Sequence, residues 1–266
     1  MTQDQIEAEA EALFQAEITG RQRGMISLAH PGAGLDQAYA IQAALVARKK
    51  ATGRRAIGWK IGLTSRAMQE ALKISTPDSG VLLDDMLFDD GAVIPKGRFI
   101  QPRVEAEIAF IMGADLAGSQ VSRADALAAT EAVAPSLEIL DTRILRVDPA
   151  TGRERTIVDT IADNAANAGI VLGSARHAPL SLDLRWAGAI VKRDGVVEET
   201  GLGAGVLDDP VLGIVWLVHR LARYGQGLTK GDIVLSGSFV RPLEAAPGSQ
   251  FHADFGGFGQ VSIAFA

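Results

Sequence analysis

Apolar positions along the first fifty residues recur with a helical period. Ile6, Ala10, Leu13 and Phe14 fall on one face, and Ile18 carries that face one turn further. After the turn "AHPGAG", Leu35, Tyr39, Leu45 and Val46 repeat the pattern. The spacing predicts a small N-terminal helical subdomain over residues 1–53. Beyond it the pattern becomes strand-like. "AIGWKIGL", "GVLL", "RVEAEIAFIM", "SLEIL", "AGIVLG", "LRWAGAIVKRDGVVEE", "DIVLSGSFV" and "QVSIAFA" are the strand candidates. The Asp-Gly pair inside "KRDGVV" predicts a hairpin. Helices are predicted over Arg123–Val133 and Asp209–Arg223, the second with Pro210 near its start, where a missing N–H is tolerated. No internal repeat or low-complexity linker interrupts the chain. The class read from this order is α+β, with residues 54–266 as one sheet-rich domain.

Composition narrows the field of partners. Lys and Arg number 26 against 32 Asp and Glu, a net charge of −6, and no long basic cluster appears. Nucleic acid as the main partner is therefore not expected. The chain has no cysteine, which excludes disulfides and thiolate metal sites. Its first residues, "MTQDQIEAEAEALFQAEI", are polar and acidic, unlike a secretory or transit leader. No apolar run reaches the roughly 18 residues of a membrane span. A soluble, cytoplasmic protein is the expectation. "GLGAGV" lacks the spacing of a dinucleotide loop, and neither a P-loop nor a Gly-x-Ser-x-Gly elbow occurs. The four histidines lie far apart; His219 reads as a packing or surface residue, and His252 in "FHADFG" is ambiguous.

The carboxylates hold the chemistry. Glu105 and Glu107 stand two apart in an apolar run, so on a strand they share a face. Val104, Ala106, Ile108, Phe110 and Met112 fill the other face, while Ala109 and Ile111 continue the glutamates' own. Glu138 is a third acid in an apolar run, "APSLEILD". Like charges buried together need a counter-charge. Two readings stand at this point: an edge strand with a solvated face, or a site for a hard divalent cation.

Five blocks, "GWKIGLTS", "RVEAEIAF", "SLEILDTRI", "RVDPATGRERTIVDTIADNAANAG" and "ETGLGAGVL", together resemble the 2-oxohept-3-ene-1,7-dioate hydratases of homoprotocatechuate breakdown. These belong to the hydratase/decarboxylase branch of the fumarylacetoacetase superfamily. The likeness runs from about Leu35 to the C-terminus. It implies a fumarylacetoacetase-like mixed β-sheet roll, and Glu105, Glu107 and Glu138 as ligands of Mg²⁺, or Mn²⁺ in its place. The implied substrate is a small 2-oxo dicarboxylate whose C1 carboxylate and C2 carbonyl chelate the cation, so that C4 accepts water. Three carboxylates and a dication sum to −1, and the family's catalytic lysine maps onto Lys60. The family's acid maps onto Asp78 first, with Asp84 as the other candidate. Either acid also suits a turn cap. Ser236 and Ser238 in "LSGSFV" are candidates to hold the C1 carboxylate, or simply turn residues. Asp163 and Asn164 are open to the same two readings. Residues 142–160 are predicted to form a loop or lid. Its arginines, Arg143 and Arg146 ahead of Arg153 and Arg155, are candidates for the far carboxylate, against a solvated loop or an oligomer contact. A homo-oligomer is expected. The alternatives are a 2-hydroxypentadienoate hydratase, a 4-oxalocrotonate-type decarboxylase, and a non-catalytic partner subunit. The "RILRVDPATGRERTIVDTI" block favours the hydratase, and the intact triad with Lys60 opposes a purely structural role.

Overall fold

The computed structural model of the chain describes residues 1–66, 69–70 and 76–266. Helix α1 (Gln3–Thr19) starts at a capping box in which Thr2 and Gln5 exchange hydrogen bonds, and stops at Gly20 in the left-handed region, φ 64°. It is followed by α2 (Ile26–Ala29) and α3 (Leu35–Ala51). These helices do not close a core by themselves. Ile6, Leu13, Ile41 and Leu45 pack with Ile144 and with Val158, Ile161 and Ala162. The last three belong to α5 (Ile157–Ala162), a short helix inside the stretch predicted as a loop. Thr156 and Asp159 form its capping box, a local signal that the apolar period over so few residues did not reveal.

The strands are β1 (Ala56–Gly62), β2 (Asp78–Leu83), β3 (Leu87–Phe88), β4 (Val93–Ile94), β5 (Arg103–Met112), β6 (Leu116–Ala117), β7 (Thr130–Leu140), β8 (Asn167–Leu172), β9 (Gly188–Arg193), β10 (Val196–Leu202), β11 (Gly227–Leu228), β12 (Ile233–Ser238), β13 (Leu243–Glu244), β14 (Gln250–Asp254) and β15 (Gln260–Phe265). The central sheet runs β2-β1-β12-β5-β7-β8-β3, with β13 also on β5. A second sheet runs β10-β9-β14-β15-β4, and β11 pairs with β6. The sheets are mixed: β12 is parallel to β1 and antiparallel to β5. The hairpin predicted at Asp-Gly joins β9 to β10, with both turn residues at positive φ, 53° and 81°.

Helix α4 (Arg123–Ala129) is shorter than predicted, because Thr130 to Val133 already belong to β7 and pair with β5. Sheet pairing of these residues outweighs a helical period that Ala-rich sequence continues. Helix α6 (Pro210–Ala222) begins at Asp209, whose carboxylate accepts from the Val211 N–H at 3.0 Å. His219 lies on it and hydrogen-bonds the Val121 carbonyl at 2.9 Å, a packing role. Among the described residues, no helix is long and apolar enough to cross a membrane.

Period-2 alternation divides the central sheet. Val104, Ile108, Phe110, Leu137 and Ile139 face Val191, Phe251, Val261 and Ile263 of the second sheet, with Ile214 and Leu217 of α6. The other face has an apolar floor of Leu82, Ala109, Ile170 and Leu235. The same face carries Glu105, Glu107 and Glu138.

Candidate active site

On the charged face, Glu105 stands directly opposite Glu138, and Glu107 opposite Ser136. Carboxylate oxygens of Glu105, Glu107 and Glu138 all lie within 4.8 Å of one another. Glu107 Oε2 accepts the Gly237 N–H at 2.8 Å, a donor supplied where β12 bulges between Leu235 and Ser238. Glu138 is fully buried and neither of its oxygens has a well-aligned hydrogen bond. Its nearest cation is Lys60, whose Nζ lies 3.3 Å from Oε1. Lys60 projects from β1 beside Gly62, and Gly62 pairs with Asp78 across β2. A Cβ on residue 62 would sit 2.3 Å from Asp78 Oδ1 and 3.0 Å from Lys60 Nζ, so only glycine lets these two charges meet over the strand. Asp78 is buried, and among the described residues its Oδ1 has no hydrogen-bond partner.

Electrostatics explains why such a face is expensive. Burial, then the charge of Glu138, pushes Glu105 up to about 8, with Lys60 opposing. The same two causes, with Glu105 added, raise Glu107 well above the carboxylate range. Burial raises Glu138 as well, against the pull of Lys60. Burial pulls the Lys60 ammonium down, but Glu138, Asp78, Glu105 and Glu107 outweigh it and hold it above its ordinary value. Asp78 is raised by burial while Lys60 and Arg155 pull it back. Three converging carboxylates, oxygen donors only, with two orphaned oxygens on Glu138, fit a hard divalent cation. Of the two sequence readings of these strands, the solvated edge is excluded, since β5 is paired on both sides and Glu107 and Glu138 are buried.

No family model matches the chain. It is 48% identical over 256 residues to 2-oxo-hept-4-ene-1,7-dioate hydratase of Escherichia coli, covering 96% of each chain. It also superposes on 4-oxalocrotonate decarboxylase from Pseudomonas putida G7, solved with magnesium and adipate. That match has a TM-score of 0.94 and 30% identity, and covers 100% of this chain and 99% of that one. The chain belongs to the hydratase/decarboxylase branch of the fumarylacetoacetase superfamily. A third member of the branch, 2-keto-4-pentenoate hydratase of Paraburkholderia xenovorans (strain LB400), is 38% identical over 265 residues, 100% of this chain and 96% of its own.

The other sequence candidates of this hydratase/decarboxylase chain are placed differently. Asp84 lies in a surface turn where it accepts from the Arg55 N–H at 2.9 Å and pairs with Arg55 Nε at 3.1 Å. Those bonds hold its carboxyl below the usual range and away from Lys60's chemistry. Ser236 lies in the bulge of β12, fully buried, and its hydroxyl has no partner among the described residues. Ser238 pairs with Glu107, but its hydroxyl is donated to the carbonyl of Val240 at 2.7 Å and closes a turn. Arg143 is buried and forks onto Asp163, with Nε to Oδ1 at 2.5 Å and Nη2 to the carbonyl at 2.6 Å. Arg146 is held by Glu244 at 2.8 Å and by the Gln101 carbonyl at 3.0 Å. Both arginines are engaged by protein acceptors, Arg146 through its two Nη atoms, with its Nε unpartnered among the described residues. His252, ambiguous in sequence, lies on β14 beside Gln260.

Asn164 is a bracket. It, Ala165 and Ala166 all take left-handed φ, 52°, 54° and 56°, a costly run for residues with a Cβ. The Asn164 side chain thereby clasps Val81, accepting from its N–H at 2.8 Å and donating to its carbonyl at 2.9 Å. That clasp fixes β2, the strand that presents Asp78. Two further groups escaped the sequence reading. The Gly237 N–H depends on a bulge, which no composition signals. Arg220 of α6 stacks 3.7 Å over the Tyr39 ring, a contact between distant segments.

Proposed function

We propose that the chain is a hydratase of 2-oxo-hept-4-ene-1,7-dioate, adding water to give 4-hydroxy-2-oxoheptanedioate in the breakdown of aromatic compounds. The observation that carries the reading is Lys60 set between Glu138 of the triad and Asp78, all buried on one face. Glu105, Glu107 and Glu138 would hold a divalent cation, Mg²⁺ or Mn²⁺. When bound, that cation supplies Lewis acidity to the C1 carboxylate and C2 carbonyl of the substrate.

The sequence reading expected a double bond at C3, conjugated with the C2 carbonyl. The Escherichia coli relative is named for the 4-ene. The two isomers differ in the position of one proton and the double bond, and they set two tasks for the protein's own groups. With the 4-ene, a C3 proton must first move to C5, which brings the double bond into conjugation. Water then adds at C4 while C3 gains a proton, so the net change is one H₂O. The Asp78 carboxylate, without a partner at Oδ1 among the described residues, would take the C3 proton and return it at C5. It would then take a proton from the attacking water and deliver it to C3, ending as it began. Burial raises its proton affinity for that traffic. Lys60 stays protonated among the acids and balances the negative charge that develops on the C2 oxygen. The apolar floor of Leu82, Ile170 and Leu235 excludes other water.

Purified protein with Mg²⁺ should consume 2-oxo-hept-4-ene-1,7-dioate and yield the 4-hydroxy acid with no CO₂. Release of CO₂ from a 2-oxo-enedioate would make the chain a decarboxylase. No turnover without a second protein would make it a partner subunit.

A further inference from the structure

The substrate of this reaction ends in a second carboxylate, and the triad, a dication and Lys60 sum to zero charge. The distal group therefore lacks a counter-charge at the site as described. Four arginines lie between residues 143 and 155. Arg143 and Arg146 are committed to Asp163 and Glu244, and Arg153 is exposed. Arg155 differs from them. Among the described residues its side chain makes one hydrogen bond, Nη1 to Thr142 Oγ1 at 2.7 Å, and no ion pair. The residues outside the description include no acid.

Position follows from the strand. Thr142 lies four residues past Glu138 along the chain that leaves β7. The distance between them is at most ~14 Å at full extension. Six carbon–carbon bonds of ~1.5 Å, in zigzag, separate the two carboxyl carbons of a heptanedioate by about 8 Å. The Arg155 guanidinium, held at Thr142, has only the remainder to cover, and its charge already acts on Asp78. Its backbone is anchored: the Arg155 N–H donates to the Arg146 carbonyl at 3.0 Å, and the next residue caps α5. Burial draws the guanidinium down from its ordinary value with no acid beside it to compensate fully. A half-buried cation without a partner is costly, and an arriving carboxylate removes that cost.

We propose that Arg155 binds the distal carboxylate of the substrate and makes the site selective for 2-oxo dicarboxylates over 2-oxo monocarboxylates. The assignment rests on the reading of the site as a 2-oxo-enoate hydratase. Arginine's planar fork suits a carboxylate through two N–H donors, and Arg155 has donors left after Thr142. Arg220, also without an ion pair among the described residues, stands on α6 and is the competing reader.

Binding of two saturated probes in the presence of Mg²⁺ tests this by calorimetry: 2-oxoheptanedioate and 2-oxohexanoate share the chelating head and differ in the far carboxylate. Arg155→Gln should weaken the diacid by roughly ten- to a hundredfold, the scale of a charged hydrogen bond, and leave the monoacid within about twofold. Arg155→Lys, which keeps the charge and guards against a folding artefact, should fall between. The ratio of kcat/KM for 2-oxo-hept-4-ene-1,7-dioate over 2-keto-4-pentenoate should collapse in parallel. Equal losses for both probes, no loss, or the selective loss appearing in Arg220→Gln instead would overturn the assignment. A wild type that binds neither probe and hydrates neither substrate fails the hydratase reading itself, a result distinct from an unselective Arg155 variant.

Discussion

At the scale of single residues, the triad works against the fold that carries it. Three carboxylates within 4.8 Å raise one another's proton affinity, and Lys60 opposes them most strongly, with Arg103 helping at Glu105. Glu107→Gln removes one charge at nearly constant volume and keeps an oxygen for the Gly237 N–H. Metal-free protein should therefore melt at the same temperature or higher, while Mn²⁺ affinity falls at least about tenfold, roughly 1.4 kcal/mol. A variant that binds Mn²⁺ like wild type in a titration would remove Glu107 from the site. Lys60→Met should do the reverse. Glu138 loses its cation, so the metal-free protein melts lower; kcat falls by about 10²–10³, the usual worth of one group preorganised against developing negative charge, and metal affinity holds. Turnover at the wild-type rate would return Lys60 to a packing role. The alternation of Glu105 and Glu107 against Val104, Ala106 and Ile108 made the triad legible in sequence, since period 2 is a local property. Sequence ranked Arg155 behind Arg143 and Arg146 and gave no sign of the Gly237 N–H, because what distinguishes each is whether its neighbours are already satisfied.

At the scale of elements, β2 is held by the Asn164 clasp from the far side of the chain. Residue 80 lies against that clasp: a Cβ there would come within 2.4 Å of the Asn164 carbonyl oxygen. Backbone cannot step aside cheaply, so Gly80→Ala should cost about 1–3 kcal/mol in urea melts and displace Asp78, lowering kcat as well. Full stability and activity would show the clasp to be slack. Helices α1 and α3 are joined by a buried ion pair between Glu17 and Lys49, with Arg54 3.3 Å from the same carboxylate. Burial opposes the charge on Glu17, but Lys49, Arg143 and Arg54 hold it down at about 2, against an ordinary 4.5. Burial also pulls Lys49 down, so the pair's net worth is smaller than the shift on Glu17 alone implies. The sign is that of a depressed acid: its stabilisation is present above pH 4.5 and fades as pH falls toward 2. The stability gap between wild type and Glu17→Gln should narrow across that window in denaturant titrations. A gap that does not change from pH 6 to 2.5 would show the ion pair to be inert. The long elements were readable from periodicity. Short α5 and the two-residue strands were not, since too few residues lie in them to establish a period.

At the scale of the whole molecule, a cation bound at the triad would relieve the repulsion between carboxylates of β5 and β7 on the central sheet. Mg²⁺ at a hundred times its Kd should add about 2.7 kcal/mol of stability, roughly 5–10 °C in Tm for a chain of this size. EDTA should reverse the shift, and Glu107→Gln should show little of it; an unmoved wild-type Tm would argue that no cation binds there. Sheet order was the least legible level, because nothing local in "DIVLSGSFV" tells that β12 enters between β1 and β5. That insertion has a consequence during synthesis. β1 carries Lys60 and β5 carries two of the three glutamates, yet the strand that joins them is translated last. From the end of β5 the ribosome must add about 120 residues, roughly 6–24 s at 5–20 residues per second. Throughout that interval the nascent chain carries two open edges in the middle of its future sheet, each a template for a stray strand. A chain stopped short of Ile233 would then be not a weakened enzyme but a client for chaperones and proteases.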